Sequence, residues 1–323
     1  MTDTNTTPFI GLPVIPSNDP SLTTTTPIPR KVQHILYANE QSEGAGATVR
    51  RTIGSRRLDS FTPFLLFDHF SIGPGAGFPD HPHRGQETIT YILSGAVEHE
   101  DFTGQRGVIN AGDLQFMTAG RGIVHAEMPS ASPSGTPNVG VQIWVDLPAA
   151  LKDCEPRYRD LRADEVPLAE SADGLVEVKV ISGRAYGVDG QAELAYTPVW
   201  LLDVTLRPGG VLEQRLPSGW HALAYTLSGH VTFNDSDAVG PNNAVILSTE
   251  GDILLASSTE LENQVRFLVL AGSPLDQPIV RRGPFVATKR EGLVKAVEDF
   301  YSFSNGFERA RNWESEIGKV MMH

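Results

Sequence analysis

Two short motifs, His81-Pro82-His83 and His125-Ala126-Glu127, each place two metal-competent side chains one residue apart. In a β-strand, residues i and i+2 point to the same face. Two neighbouring strands could therefore aim three imidazoles and one carboxylate at a single point. Such a nitrogen and oxygen donor set suits iron, manganese, nickel, copper or zinc, and donor softness alone does not choose among them. A lone His-x-His is a weak signal, because a solvated or hydrogen-bonded pair is the commoner outcome. The second pair, following the Gly112-Asp113 turn, favours the metal reading. His69 and His99 are candidates for outer hydrogen-bonding groups, with a structural role the commoner fate, and His221 receives no role.

The elements that must position these residues are short strands. Phe64-Leu65-Leu66-Phe67, Thr88–Leu93 and Val141–Val145 are strand-like, separated by turn signals such as Ser94-Gly95 and Ala119–Gly122. A second set starts near Val176 and includes Val199–Leu202, Leu223–Leu227, Ala244–Leu247 and Phe267–Leu270. Strands and turns at this density predict β-sandwiches or barrels. The halves read as copies: Tyr91–Gly95 parallels Tyr225–Gly229, and Gly112-Asp113-Leu114 parallels Gly251-Asp252-Ile253. These registers set Arg215 and Pro217 against His81 and His83, and Gln264 and Arg266 against His125 and Glu127. The second half is expected to lack metal. After Gly283-Pro284, Leu293, Val297 and Phe300 recur at helical spacing behind a capping box over Thr288–Glu291, with a second helix expected over Glu308–Ile317.

The expected organisation is a disordered or surface-lying tail over 1–29, an N-terminal metal-binding barrel over 30–147 and a connection over 148–175. A metal-free barrel over 176–283 and a helical segment over 284–323 follow. A net charge of -13 argues against direct nucleic-acid binding, which needs clustered Lys and Arg. With one cysteine, Cys154, no intramolecular disulfide can form, and a reducing compartment, cytoplasmic or nuclear, is expected. No run approaches the ~18 apolar residues of a membrane span. The Thr- and Pro-rich start contains no Lys or Arg through residue 29, unlike a secretory or transit signal.

The segment His81–Thr88, then His99–Phe102, Gly112–Gln115 and Met117–Pro129, with Gly283–Val286 and Asn305–Ala310 near the end, resembles the pirin family of bicupins. The resemblance runs from about residue 30 to the C-terminus. It implies an all-β fold of two tandem cupin (jelly-roll) β-barrels with short C-terminal helices. It also implies iron (Fe2+) in the first barrel, held at His81, His83, His125 and Glu127, and a metal-free second barrel. Nickel, copper, manganese and zinc are compatible with the same donors. In the usual cupin motif a Glu ligand follows the second His by four residues and precedes a Gly by seven. Glu87 follows His83 by four but precedes Gly95 by eight. A one-residue displacement redirects a strand side chain, so Glu127 is expected to supply the carboxylate and Glu87 to be an outer hydrogen-bond partner.

Members resembling this chain are described as quercetin 2,3-dioxygenases, which implies a metal-dependent dioxygenase acting on a flavonol. Glu127 is then the catalytic base, since a metal-bound carboxylate lies within reach of a coordinated hydroxyl. Arg84 and Arg121 are candidates for orienting an anionic substrate. The alternative, also implied by the resemblance, is a non-enzymatic, redox-responsive transcription cofactor that works through a protein partner. A monomer is expected in either case, with no membrane association.

Overall fold

The structure, a computed structural model, describes residues 26–130, 135–191 and 194–319. The expected N-terminal tail lies outside the described residues as far as residue 25. Each half of the chain contributes to one seven-stranded and one four-stranded antiparallel sheet. In the first half, Gln86–Ser94, Asn138–Asp146 and Phe64–Ile72 form the centre of the larger sheet. The smaller sheet runs Phe78–His83, Ile123–Pro129, Ala96–Asp101, Arg106–Asn110. The second half repeats this plan, with His221–Ser228, Val265–Gly272 and Val199–Leu206 at the centre of its larger sheet. These are the two tandem cupin barrels expected from the sequence.

The large sheets pack back to back. Phe67, Tyr91 and Ile143 share one buried cluster with Leu201, Tyr225 and Leu268, so the outer face of each sheet is core rather than surface. That is why strand Phe64–Ile72 carries apolar residues on both faces: Phe67 turns to the seam while Phe70 and Ile72 turn into the barrel. The seam also holds a polar knot. Tyr91 donates to Asp203 at 2.6 Å, and Arg266 binds both Asp203 oxygens at 2.9 and 2.6 Å, a bidentate charge-assisted pair.

The topology corrects four expectations. Strand Val32–Tyr37 does not belong to the first barrel; it pairs with Asn243–Leu247 at the edge of the second barrel's large sheet. Reciprocally, Arg157–Leu161, from the expected connection, pairs with Leu114–Thr118 at the edge of the first. Each half is thus closed by the strand that precedes the other, which covers an edge that would otherwise be open. Secondly, Gly251-Asp252 leads into Ile253–Ser258, which pairs with Val211–Arg215 as Ile123–Pro129 pairs with Phe78–His83. Gln264 and Arg266 therefore do not match His125 and Glu127; they enter the central strand Val265–Gly272, and Arg266 serves the seam. At the ligand-strand pair of the second barrel the buried positions are Leu212, Gln214, Ile253, Leu254 and Ala256, and Leu212, Leu254 and Ala256 belong to its apolar core.

Thirdly, the helix runs Arg290–Ser302 with Lys289 at its N-cap and no capping side-chain bond, so the capping box does not form. Fourthly, the expected second helix is a 3₁₀ turn, Glu308–Asn312. This C-terminal segment packs on the first barrel, where Phe285, Ala296 and Phe307 share a cluster with Phe102, Met117 and Ile123. The turn after the His-x-His strand is fitted to it. Gly85 has φ +77, and a Cβ there would sit 2.1 Å from the Val286 carbonyl oxygen.

Candidate metal centre

His81 and His83 lie on one strand with Pro82 between them, and His125 lies on its antiparallel neighbour directly opposite His81. The donor atoms of the three imidazoles fall within 4.8 Å of one another. Nε2 of His81 and Nε2 of His125 are 3.0 Å apart, close to the spacing of adjacent ligands at right angles on an ion with metal–nitrogen bonds of about 2.1 Å. A register shift between His125 and Glu127 sets Glu127 opposite Phe78.

The imidazoles are prepared for ligation. Nδ1 of His81 lies 2.8 Å from the Pro79 carbonyl, to which it donates, leaving Nε2 with a free lone pair. Nδ1 of His83 lies 2.8 Å from the side-chain amide of Gln86. The amide nitrogen of Gln86 is the atom placed there; rotating the amide half a turn gives its otherwise unpartnered oxygen the Nδ1 proton and frees Nε2. Nε2 of His83 and Nδ1 of His125 are buried without a hydrogen-bond partner. A buried unpaired polar atom costs about 1–3 kcal/mol, and a bound cation would satisfy the ring nitrogen that faces it. Burial lowers the pKa of His81 and drives His83 and His125 well below the usual imidazole value, so the rings are neutral, as metal ligands must be. The donor set fits a divalent transition metal.

Glu127 is on the same strand as His125 but stands outside the close imidazole set. One carboxylate oxygen lies 3.0 Å from the Thr90 hydroxyl and the other accepts from Gln142 Nε2 at 3.0 Å. Burial pushes its carboxyl up to about 7, against the lowering effect of those two bonds.

Glu87 is not an outer partner of this site. Its carboxylate points to the opposite face, where it accepts from Thr118 at 2.7 Å and from the backbone amides of Tyr196 and Thr197 in the second barrel. The outer partner is its neighbour Gln86, because side chains alternate along the strand. That alternation was the available signal. Arg84 does not orient a substrate either: it is buried, pairs with Asp299 at 2.7 Å and lies over the Phe307 ring. Arg121 is half-buried and paired with Glu155. His99 faces Glu127 across the strand pair and contacts Gln115, while His69 reaches Tyr225 at the seam. His221 lies against the Thr62 carbonyl.

The site opens into a cavity of about 710 Å³ lined by His81, His83, Glu127, Gln142 and Trp144, with an apolar wall that includes Leu66, Phe70, Ile72 and Phe78. Arg281, Gly283 and Pro284 from the C-terminal segment also line it. A cavity of this size is in the range that takes a small organic ligand.

The family model for pirin matches residues 46–145, and that for the pirin C-terminal cupin domain matches residues 201–306. Human pirin is 46% identical over 297 residues, covering 90% of this chain and 98% of its own. A pirin-like protein of Arabidopsis thaliana is 42% identical over 313 residues, covering 95% and 99%. Among solved structures, a quercetin 2,3-dioxygenase from Acinetobacter baumannii superposes with a TM-score of 0.79 at 31% identity, covering 85% of this chain and 98% of that one.

Proposed function

The chain belongs to the pirin family, and on that premise we propose that it is an iron-dependent dioxygenase of flavonols such as quercetin. The observation that carries this reading is the cluster of three imidazoles, of which His81 and His83 line, together with Glu127, one cavity large enough for a flavonol. The likeness to a protein described as a quercetin 2,3-dioxygenase supports it. His81, His83 and His125 would hold the metal, with Glu127 as the carboxylate ligand. A redox-active ion there would supply Lewis acidity and a route for electrons between flavonol and dioxygen.

The chain's own residues do the rest. Glu127 takes the proton from the flavonol 3-hydroxyl, held for that task by Thr90 and Gln142. The apolar wall around Phe70 and Phe78 receives the rings and displaces water, which strengthens the interaction of Glu127 with the hydroxyl. The test is metal analysis of purified protein coupled to oxygen uptake over a flavonol series. Uptake proportional to bound iron is expected. Fully loaded protein that consumes no oxygen with any flavonol would remove the enzyme reading in favour of the regulatory one.

A further inference from the structure

The cavity contains a charged group that metal binding does not use. Arg51 binds both oxygens of Asp68, at 2.8 and 2.7 Å, and also Glu43 at 2.7 Å, and all three residues line the cavity. They stand in line with the centre. Arg51 is opposite Asp68, Asp68 is opposite Gln142, and Gln142 is opposite Thr90, so the row crosses four adjacent strands at one level. Gln142 and Thr90 grip Glu127. Strands lie about 4.8 Å apart, so Arg51 sits roughly two strand spacings, about 10 Å, from Gln142 along the cavity wall. That span suits the length of a fused aromatic ligand.

We propose that Arg51, Asp68 and Glu43 form a subsite for the phenolic hydroxyls of a neutral polyhydroxylated aromatic, at the end of the cavity away from the imidazoles. This rests on the reading of the cavity as the substrate site. The group's one cation is bound to two carboxylates, so its formal charge is negative and it repels anionic substituents. Both Asp68 oxygens and Glu43 Oε2 keep acceptor capacity beyond their bonds to Arg51 and can accept a hydrogen bond from a hydroxyl. Because the three side chains already satisfy one another, a ligand lacking the hydroxyl leaves no group orphaned. The discrimination is therefore modest, about one charge-assisted hydrogen bond.

The test is equilibrium binding of quercetin and of 3-hydroxyflavone, which has no hydroxyl beyond the reacting one, to the metal-free full chain by calorimetry. Wild type is expected to bind quercetin about 10-fold more tightly, and Asp68→Asn to reduce that gap to about 2-fold. Glu43→Gln, at the more exposed edge of the group, narrows the gap in the same direction should Asp68→Asn prove unstable. Equal affinities in wild type, binding of neither flavonol, or a gap unchanged in the variants overturns the subsite. An ion pair that merely braces the strands would lower thermal stability on substitution and leave the gap intact. Absence of oxygen uptake by iron-loaded protein would instead end the dioxygenase reading while the binding gap remained.

Discussion

Gln86 lies 2.8 Å from Nδ1 of His83, whereas Glu87, its immediate neighbour, turns to the opposite face and binds the Tyr196 and Thr197 amides of the other barrel. One step along a strand separates a residue that serves the metal centre from one that joins the two barrels. Gln86→Ala is expected to weaken metal affinity about 10- to 100-fold, the usual cost of losing a ligand's hydrogen-bond partner. Glu87→Gln is expected to leave affinity unchanged and to lower the melting temperature by a few degrees. Metal competition titration and thermal unfolding of both variants check the division of labour.

Removing a ligand should empty the centre. His83→Ala and His125→Ala are each expected to retain under about one-fifth of the wild-type metal after dialysis, since each deletes a coordinating imidazole. Anomalous scattering from iron-soaked crystals should give one peak per chain, beside His81, His83 and His125. Wild-type metal content in either variant, or a comparable peak between Leu212 and Leu254, would defeat the assignment.

Glu127→Gln keeps a carbonyl oxygen of similar shape but removes charge and basicity. Activity scored per bound metal is expected to fall about 100-fold, the lower range for a general base. A variant that holds metal and turns over at the wild-type rate would reduce Glu127 to a ligand.

The seam between the barrels should be acid-sensitive. Burial, and then the charge of Arg50, holds His69 down to about 4, so it is neutral in the folded chain while an unfolded His takes up a proton below about 6.5. A depressed folded pKa gives stability that is complete above 6.5 and is lost as pH falls towards 4. Between pH 7.5 and pH 5 the loss is about 2 kcal/mol from this residue. His69→Gln should flatten that part of the urea-midpoint profile, and an unchanged slope would show that His69 does not control it.

The family motifs and the imidazole spacing were legible from the sequence for a local reason. His81 and His83, like His125 and Glu127, are i and i+2 on single strands, and strand geometry alone puts each pair on one face. The barrels announced themselves in the same way, through short apolar runs and turns. What failed depended on contacts between distant segments. No local pattern says that Val32–Tyr37 closes the second barrel, or that Arg84 is claimed by Asp299, 215 residues away. The repeat register went astray because Gly-Asp turns precede strands in different positions of the two halves, and only pairing across Val211–Arg215 and Ile253–Ser258 distinguishes them. The alignment of Arg51, Asp68 and Gln142 into one row was likewise decided by tertiary structure, because it is set by hydrogen-bonded register between strands rather than by spacing along any one of them.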